Sequence, residues 1–434
     1  MYKRGKGHLV ILQEKIKKAE LYEANSNWEE AITLYNEIVE EDTSVQNIEK
    51  LGWCLSRVGK YDEAIKYFIQ LKEKEPKMAK WKYMIGYQYY SKKDWNEAVK
   101  YFEETLKIKP NYLIVKYRIS YAYLQLAGKY KKLTKPAFWK ALGYIKECHE
   151  LWKSFDEKTK NKEEHTYFDI NFLHGKMLMD LPKHREESIL YFENALKIKD
   201  DEICKYNLSK TFYLMEKYEE AKKWIPNNCS YYVVELNAYI EAKLGNYDIA
   251  IDIIDELLKT RKKDYLYAFL AEIYLLKEDN ESAFNYANIA IKANYKNHKN
   301  HYVLAKVYHK YNLFDSAVKE LDNAIQLKIK NYHSEYDEAI SLKEEIMKKI
   351  PENYNENENI LKKLYLNNER KIYTGTIYEY DKNKGFGFIK YSGKKIFFHI
   401  SDCIFDNPIK NKQVSFQRIK GKNEKMKAIN IKWK

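Results

Sequence analysis

Hydrophobic positions over residues 12–331 recur with a helical period, and the helices come in pairs. Small and aromatic landmarks of one pair return 34 residues later in the next. They are Leu51, Gly52, Ala64 and Phe68, which become Ile85, Gly86, Ala98 and Phe102. Self-similarity at this period predicts a solenoid of helix pairs. A small residue on each helix permits close approach, and each pair needs its neighbours to bury its apolar face.

The period and the landmarks resemble the tetratricopeptide repeat (TPR), and the resemblance covers about three quarters of the chain. It implies a mainly α fold, with about nine helix pairs and a capping helix over residues 1–349. Residues 332–349 are amphipathic and are predicted to form the cap, which Pro351 ends. Two irregularities are expected: about nine extra residues around 129–136, and a second helix shortened by Pro226.

In TPR proteins the concave groove is lined by fixed positions of each first helix, and here those positions are aromatic. The expected partner-binding residues are Trp53, Tyr83, Tyr87, Tyr90, Tyr117, Tyr121, Tyr206, Tyr213, Tyr239 and Tyr302. Tyrosine offers an apolar face and a hydroxyl, which suits an extended peptide or stacked bases. Packing between repeats is the competing interpretation. The Lys and Asn pair with which some TPR proteins grip a C-terminal carboxylate is absent.

The period changes to two after a polar linker at residues 350–370. Residues 371–434 predict five short strands and no helix, which fits a small all-β OB-type barrel. This domain has 15 Lys and Arg against 5 Asp and Glu, so it carries most of the net charge of +14. A basic surface of this kind favours a polyanionic partner.

The motifs Lys384-Gly385-Phe386-Gly387-Phe388-Ile389 and Ile396-Phe397-Phe398-His399-Ile400-Ser401 resemble the paired nucleic-acid-binding motifs of the cold-shock domain. The resemblance implies a platform on which unpaired bases stack, ringed by lysines that meet phosphates. The expected nucleic-acid-binding residues are Tyr380, Lys384, Phe386, Phe388, Lys390, Lys394, Phe397 and His399.

Two ring positions of the cold-shock family are not retained. Glu379 stands where a stacking tryptophan is usual, and Ile400 stands where a phenylalanine is usual. Weaker binding or a shorter footprint is therefore expected than for a free-standing cold-shock protein. Phe398 is expected in the barrel core.

No arrangement of residues predicts catalysis, a metal site or a cofactor. The five cysteines are far apart and never in C-x-x-C spacing, which predicts buried reduced thiols. His298, His301 and His309 share a predicted helix and are expected to be solvated or packed. Asp248, Asp252 and Asp255 share a helical face and are expected to form a hydrated acidic stripe. No nucleophile, base and orienting group are brought together.

The sequence therefore predicts a non-enzymatic, cytoplasmic and bacterial adaptor. The barrel would bind single-stranded RNA or DNA, with RNA favoured, and the solenoid groove would bind a protein or peptide; no membrane partner is expected, because no run of about 18 apolar residues occurs. One alternative is a ligand- or partner-responsive TPR regulator, for example in a defence or toxin system, with the barrel a minor anchor. Another is an RNA-recognising solenoid in which the tyrosines from 83 to 121 stack bases.

Overall fold

The fold is known from a computed structural model, which describes residues 2–128, 135–227, 230–351, 354–357, 360–361, 364, 373–403, 405, 408–420 and 426–434. Most of the extra residues expected around 129–136 lie outside this set, and so does most of the polar linker at residues 350–370.

Nineteen α-helices lie in the described part of the chain, and they form the nine pairs and the single capping helix that the repeat predicts. They are α1 Tyr2–Ala24, α2 Trp28–Glu41, α3 Val45–Arg57, α4 Tyr61–Lys74, α5 Ala79–Ser91, α6 Trp95–Ile108, α7 Leu113–Ala127, α8 Pro136–Lys153, α9 Glu157–Met179, α10 Arg185–Ile198, α11 Glu202–Leu214, α12 Tyr218–Lys223, α13 Tyr231–Lys243, α14 Tyr247–Thr260, α15 Asp264–Leu276, α16 Asn280–Ala293, α17 His298–Lys310, α18 Phe314–Tyr332 and α19 Asp337–Lys349. The mainly α, TPR-like solenoid is confirmed.

Glycines on the first helices set how closely the helices of a pair approach. A Cβ added at Gly52 would lie 3.0 Å from the ring of Phe68, and one added at Gly86 would lie 2.7 Å from the ring of Phe102. Both rings are fully buried. Close packing of this kind leaves no room for a methyl group, so the small residue is required by the aromatic residue of the second helix.

The irregular repeats have local causes. Helix α12 is only six residues long and ends at Lys223, shortly before Pro226, as expected. The capping helix begins at Asp337 rather than at residue 332, because α18 continues to Tyr332. His333 then takes the left-handed conformation, with φ of 49°, and separates the two helices.

Five strands close into a barrel in the order β1-β2-β3-β5-β4, which confirms the OB-type barrel. They are β1 Tyr373–Asp381, β2 Phe386–Tyr391, β3 Lys394–His399, β4 Gln413–Lys420 and β5 Met426–Trp433. β3 and β5 run parallel, and the other neighbouring strands are antiparallel. The core contains Ile377, Ile389, Phe398, Val414 and Phe416, and Phe398 is fully buried there, as expected.

The chain divides into two compact units, Met1–Thr211 and Phe212–Lys434, with the boundary inside α11. The second unit contains both the last helix pairs and the barrel. Ile429 of β5 lies in the same apolar cluster as the helices from α13 to α18. The barrel is therefore packed against the helices of its own unit.

Candidate nucleic-acid interface and repeat grooves

Three phenylalanines of β2 and β3 form an aromatic platform on the outer face of the barrel. Phe388 pairs with Phe397 in the β2–β3 register, two positions from Phe386. The ring of Phe397 lies 5.6 Å from that of Phe386 and 5.9 Å from that of Phe388, between centroids. All three rings are partly exposed while their neighbours in sequence are buried. The alternation of the strands thus turns three rings outward as a surface for flat ligands.

Gly387 lies between the platform residues Phe386 and Phe388 and faces the barrel core on the other side of the strand. Its strand neighbours are Tyr380 on β1 and Phe398 on β3. A Cβ on Gly387 would lie 2.7 Å from the Phe398 ring and 2.2 Å from the Glu379 carbonyl oxygen. The missing side chain lets the Tyr380 ring stack on Phe398, with centroids 6.1 Å apart. Tyr380, expected on the platform, is therefore placed beside the core.

A bulge in β1 explains the position of Tyr380. The register with β2 shifts between Ile377 and Glu379, so Tyr378 and Glu379 both face solvent. Lys395 Nζ lies 4.0 Å from the centre of the Tyr378 ring and 3.7 Å from Glu379 Oε1. Tyr378 is an exposed ring that sequence reasoning missed. The available signal was its position directly after the apolar Ile377 and before the charged Glu379.

The lysines that flank the platform residues in sequence are exposed. Lys384, Lys390 and Lys394 are exposed, and so are the neighbouring Lys382 and Lys395. Lys384 lies 4.0 Å from Asp381 in a surface pair, with 70% of its side chain exposed. Such a pair contributes little to stability, so the ammonium group stays available to an anion.

His399 pairs with Phe386 in the register but is only 7% exposed. Its Nδ1 accepts a hydrogen bond from the backbone N–H of Ser401 at 3.2 Å, which leaves the proton of the neutral ring on Nε2. Within the described residues Nε2 has no hydrogen-bond partner. Burial, with the nearby charges of Lys259 and Lys427, lowers the pKa of His399 to about 3. The side chain is therefore neutral and covered, unlike the exposed ring that was expected.

The helices that pack on the barrel cover His399, and a buried ionic cluster joins them to the barrel. Lys427 of β5 places Nζ 3.5 Å from Asp255 Oδ2 of α14 and 3.4 Å from Asp402 Oδ1. Burial alone would lower the pKa of Lys427, but the two carboxylates hold it well above its usual range. Burial raises the pKa of Asp402 to about 6. The expectation that Asp255 belongs to a hydrated acidic stripe was wrong, because a cation of the barrel covers it.

Further polar contacts flank this ionic cluster. Tyr267 Oη donates to the Ser401 carbonyl at 3.4 Å, and Lys262 Nζ donates to the Cys403 carbonyl at 2.8 Å. Lys259 Nζ donates to the Lys384 carbonyl at 3.4 Å. Ile400, which replaces the second family ring, is 9% exposed and belongs to the core. The missing ring at Ile400 therefore falls where the barrel is covered.

In the first unit, most of the expected groove residues form a ladder of rings. Trp53 stacks on Tyr87 at 6.1 Å, Tyr83 stacks on Tyr87 at 6.3 Å, and Tyr90 contacts Tyr121 at 5.7 Å. Tyr117 and Tyr206 are partly exposed.

Sequence reasoning missed the cation at the centre of this ladder. The Arg118 guanidinium lies 4.3 Å from the centre of the Tyr87 ring and within 6 Å of the rings of Tyr83 and Tyr90. It also donates to the Tyr83 hydroxyl. An arginine in a helix rich in apolar and aromatic residues, one residue after Tyr117, was the available signal. Cation–π contacts fix the rings and leave a positive charge within the ladder.

In the second unit, Tyr213, Tyr239 and Tyr302 line one cavity of about 610 Å³. Tyr213 and Tyr239 lie 6.3 Å apart between ring centroids. The cavity also contains an ion pair that was not predicted, between Lys306 Nζ and Glu272 at 2.9 Å. Its volume lies in the range of small-molecule pockets.

The described residues contain no group of three or more His, Cys, Asp and Glu side chains placed to hold a metal ion. Among them, no helix is both long enough and apolar enough to cross a bilayer. Cys54, Cys148, Cys204 and Cys403 are buried free thiols, and Cys229 lies outside the described residues.

The comparisons with known families agree with these two modules. The 'cold-shock' DNA-binding domain family matches residues 373–433, and two tetratricopeptide-repeat families match residues 48–78 and 79–112. The chain is a TPR protein with a C-terminal cold-shock domain. Cold-shock domains bind nucleic acid, and TPR solenoids present extended surfaces to proteins. No curated protein is significantly similar to the chain in sequence.

Two solved structures are similar to parts of this chain. A thermophilic TPR protein of Thermus thermophilus is 18% identical, with a TM-score of 0.33 over 46% of this chain and 99% of its own. MamA is 15% identical, with a TM-score of 0.34 over 42% of this chain and 94% of its own.

Proposed function

We propose that the protein is a non-enzymatic adaptor that binds single-stranded nucleic acid on the barrel and a protein or peptide in the repeat grooves. The observation that carries the first half is the platform of Phe386, Phe388 and Phe397, three partly exposed rings among exposed lysines. Unpaired bases stack on such rings at roughly 1–3 kcal/mol each, and lysines neutralise the phosphates.

RNA is the favoured ligand in this proposal, since it is the abundant unpaired nucleic acid of a cytoplasm. The buried free thiols of Cys54, Cys148, Cys204 and Cys403 support a reducing compartment, and we take it to be the bacterial cytoplasm. Stacking itself does not distinguish the two sugars, so contacts to the 2′-hydroxyl would have to provide the preference. Matched RNA and DNA oligonucleotides test it directly.

The protein partner is assigned to the two aromatic grooves. In the first unit, Arg118 adds a positive charge to the tyrosine ladder. In the second, a cavity of about 610 Å³ combines tyrosines with the Glu272 and Lys306 pair. Aromatic walls with a few fixed charges suit a peptide that carries both apolar and acidic side chains. Tethering this partner beside a nucleic-acid site would raise their effective concentration for one another.

The test for nucleic-acid binding uses single substitutions on the platform. Phe388→Ala and Phe397→Ala should each weaken binding of a single-stranded RNA about 5- to 150-fold, which corresponds to the loss of one stacked base. Ile409→Ala is the control, because Ile409 is an exposed apolar side chain of the barrel that is not one of the platform rings. Equal affinities of the platform variants and the control would overturn the proposal.

A further inference from the structure

We propose that the nucleic-acid surface continues from the barrel onto the solenoid, where a group of cations binds the phosphates of a strand that leaves the platform. The group consists of Lys259, Arg261, Lys262 and Lys263, at the junction of α14 and α15, and is called the basic corner here. The inference rests on the proposed function, because it extends the binding site of the barrel.

The basic corner adjoins one end of the platform. Lys259 Nζ lies 3.4 Å from the carbonyl oxygen of Lys384, two residues before Phe386. A Cβ built on Gly385 would lie 3.5 Å from Lys259 Cδ, so the side chain runs along the loop that enters β2. A strand whose base stacks on Phe386 therefore meets the corner at its next phosphates.

The docking contacts hold the corner in a fixed position. Lys262 is tied to the Cys403 carbonyl at 2.8 Å, and the Lys427 cluster joins α14 to β5 below it. Because these contacts fix the junction of α14 and α15 against the barrel, the cations keep their positions beside the platform. Preorganised charges retain more of their binding free energy than mobile ones.

The local charges favour an anion. Lys262 and Lys263 are exposed, and Arg261 lies 3.6 Å from the centre of the Tyr231 ring, which is 48% exposed. Glu256 pairs with Lys259, and Asp264 Oδ2 accepts hydrogen bonds from Asn297 and Asn300. Two further acids lie close by: Glu235 accepts a hydrogen bond from Tyr265, which also contacts Arg261, and Asp255 is paired with Lys427. The four cations of the corner therefore face acids that are already paired or hydrogen-bonded. Cations beside an exposed ring are the combination that tracks single strands.

A phosphate contact can be recognised by its salt dependence. Each phosphate that a lysine neutralises on a single strand contributes about 0.7 to the slope of log K against log salt. Loss of two such contacts should lower the slope by about 1.4, and near physiological salt it should weaken binding about tenfold. The loss should require a strand long enough to pass beyond the platform.

The experiment measures full-chain binding to oligothymidylates and oligouridylates of about 4 and about 16 nucleotides, the limits of an OB-fold footprint, over a salt series. The test variant is Lys259→Ala with Lys263→Ala, which keeps the Lys262 contact with the barrel and removes the weaker contact of Lys259 with the Lys384 carbonyl. Lys259→Arg with Lys263→Arg keeps both charges. Lys319→Ala with Lys330→Ala is the control, because it removes two exposed lysines from α18 in the same unit.

The alanine pair at the corner should lose about tenfold in affinity for the long strand and little for the short one, while the arginine pair and the α18 control bind as the wild type does. An unchanged slope in the corner variant, with binding still abolished by Phe386→Ala and Phe388→Ala, would overturn this inference and leave the proposed function standing. Failure of the wild type to bind any single strand would overturn both.

Discussion

At the scale of single residues, Gly387 matters to both the barrel core and the platform. It has no Cβ that would press on Phe398 in the core, and it lies between the platform residues Phe386 and Phe388. Alanine there would place its Cβ 2.2 Å from the Glu379 carbonyl oxygen and against the Phe398 ring. We expect Gly387→Ala to lower the free energy of unfolding by about 1–3 kcal/mol, because a backbone atom cannot move aside as a side chain can. Chemical denaturation of the full chain measures it.

The matched control for this change is Gly143→Ala in α8. A Cβ at Gly143 meets no atom within 4 Å, so alanine should raise the free energy of unfolding by about 0.5–1 kcal/mol through helix propensity. Similar effects of the two substitutions would contradict the packing described around Gly387.

Two buried histidines of the first unit should make its stability fall in acid. His149 and His174 have ring centroids 5.0 Å apart, and burial lowers their pKa values to about 4 and about 3. An unfolded chain protonates histidine near pH 6.5, so the stability that the neutral rings provide is present above pH 6.5 and is lost as the pH falls. Each histidine should cost up to about 1.4 kcal/mol per pH unit below that point.

His174→Phe should weaken this pH dependence, since both ring nitrogens of His174 lack hydrogen-bond partners among the described residues and phenylalanine fills a similar volume. His184→Phe is the control, because the His184 side chain is 53% exposed. Urea unfolding at pH 5.5 and 7.5 gives the comparison. A pH dependence of His174→Phe equal to that of the control would refute the assignment.

At the scale of elements, the ammonium group of Lys427 on β5 joins this strand to α14 through buried ion pairs. Lys427→Met keeps the length of the side chain but leaves the carboxylates of Asp255 and Asp402 without their cation. We expect the free energy of unfolding to fall by about 3–5 kcal/mol, as for other broken buried ion pairs. Lys432→Met makes the same change at an exposed site on the same strand and should have little effect. Equal stability of the two variants would contradict the docking of the barrel.

The elements also show how far sequence reasoning reaches. The 34-residue period predicted the helix pairs because glycine and aromatic landmarks recur, and even α9 and α10 obey the rule: a Cβ at Gly175 would lie 2.8 Å from Phe192. The alternation around Phe386 and Phe388 likewise predicted the barrel platform. The resemblance placed Tyr380 on the platform, and its position beside the core was not predicted, because a bulge changes the alternation of one strand without leaving a signature in the pattern.

Contacts between elements far apart in the sequence could not be predicted, for a different reason. The burial of His399 and the pairing of Asp255 with Lys427 both depend on how the barrel packs on α14. Asp255 and Lys427 are 172 residues apart in the sequence. Periodicity shows only which face of a single helix or strand is apolar. Periodicity therefore could not show that Lys427 covers Asp255, one of the three acidic residues on this face of α14.

At the scale of the whole molecule, the chain joins a TPR solenoid to a cold-shock domain. The barrel is packed on helices that belong to the second unit, so the platform is presented from a folded support rather than from a free tether. Its exposed part comprises Phe386, Phe388 and Phe397, while the His399 end is covered. A short stacking surface is expected to bind a few bases and to depend on neighbouring charge for the rest.

The most direct test of this account compares a single-stranded RNA with the same RNA annealed to its complement, by fluorescence anisotropy on the full chain at physiological salt. Stacking needs unpaired bases, so the single strand should bind at least about tenfold more tightly, and the change of Phe386, Phe388 and Phe397 to alanine should reduce its affinity to that of the duplex. Equal affinities for the two RNAs in the wild type, or a triple variant that still prefers the single strand, would contradict it.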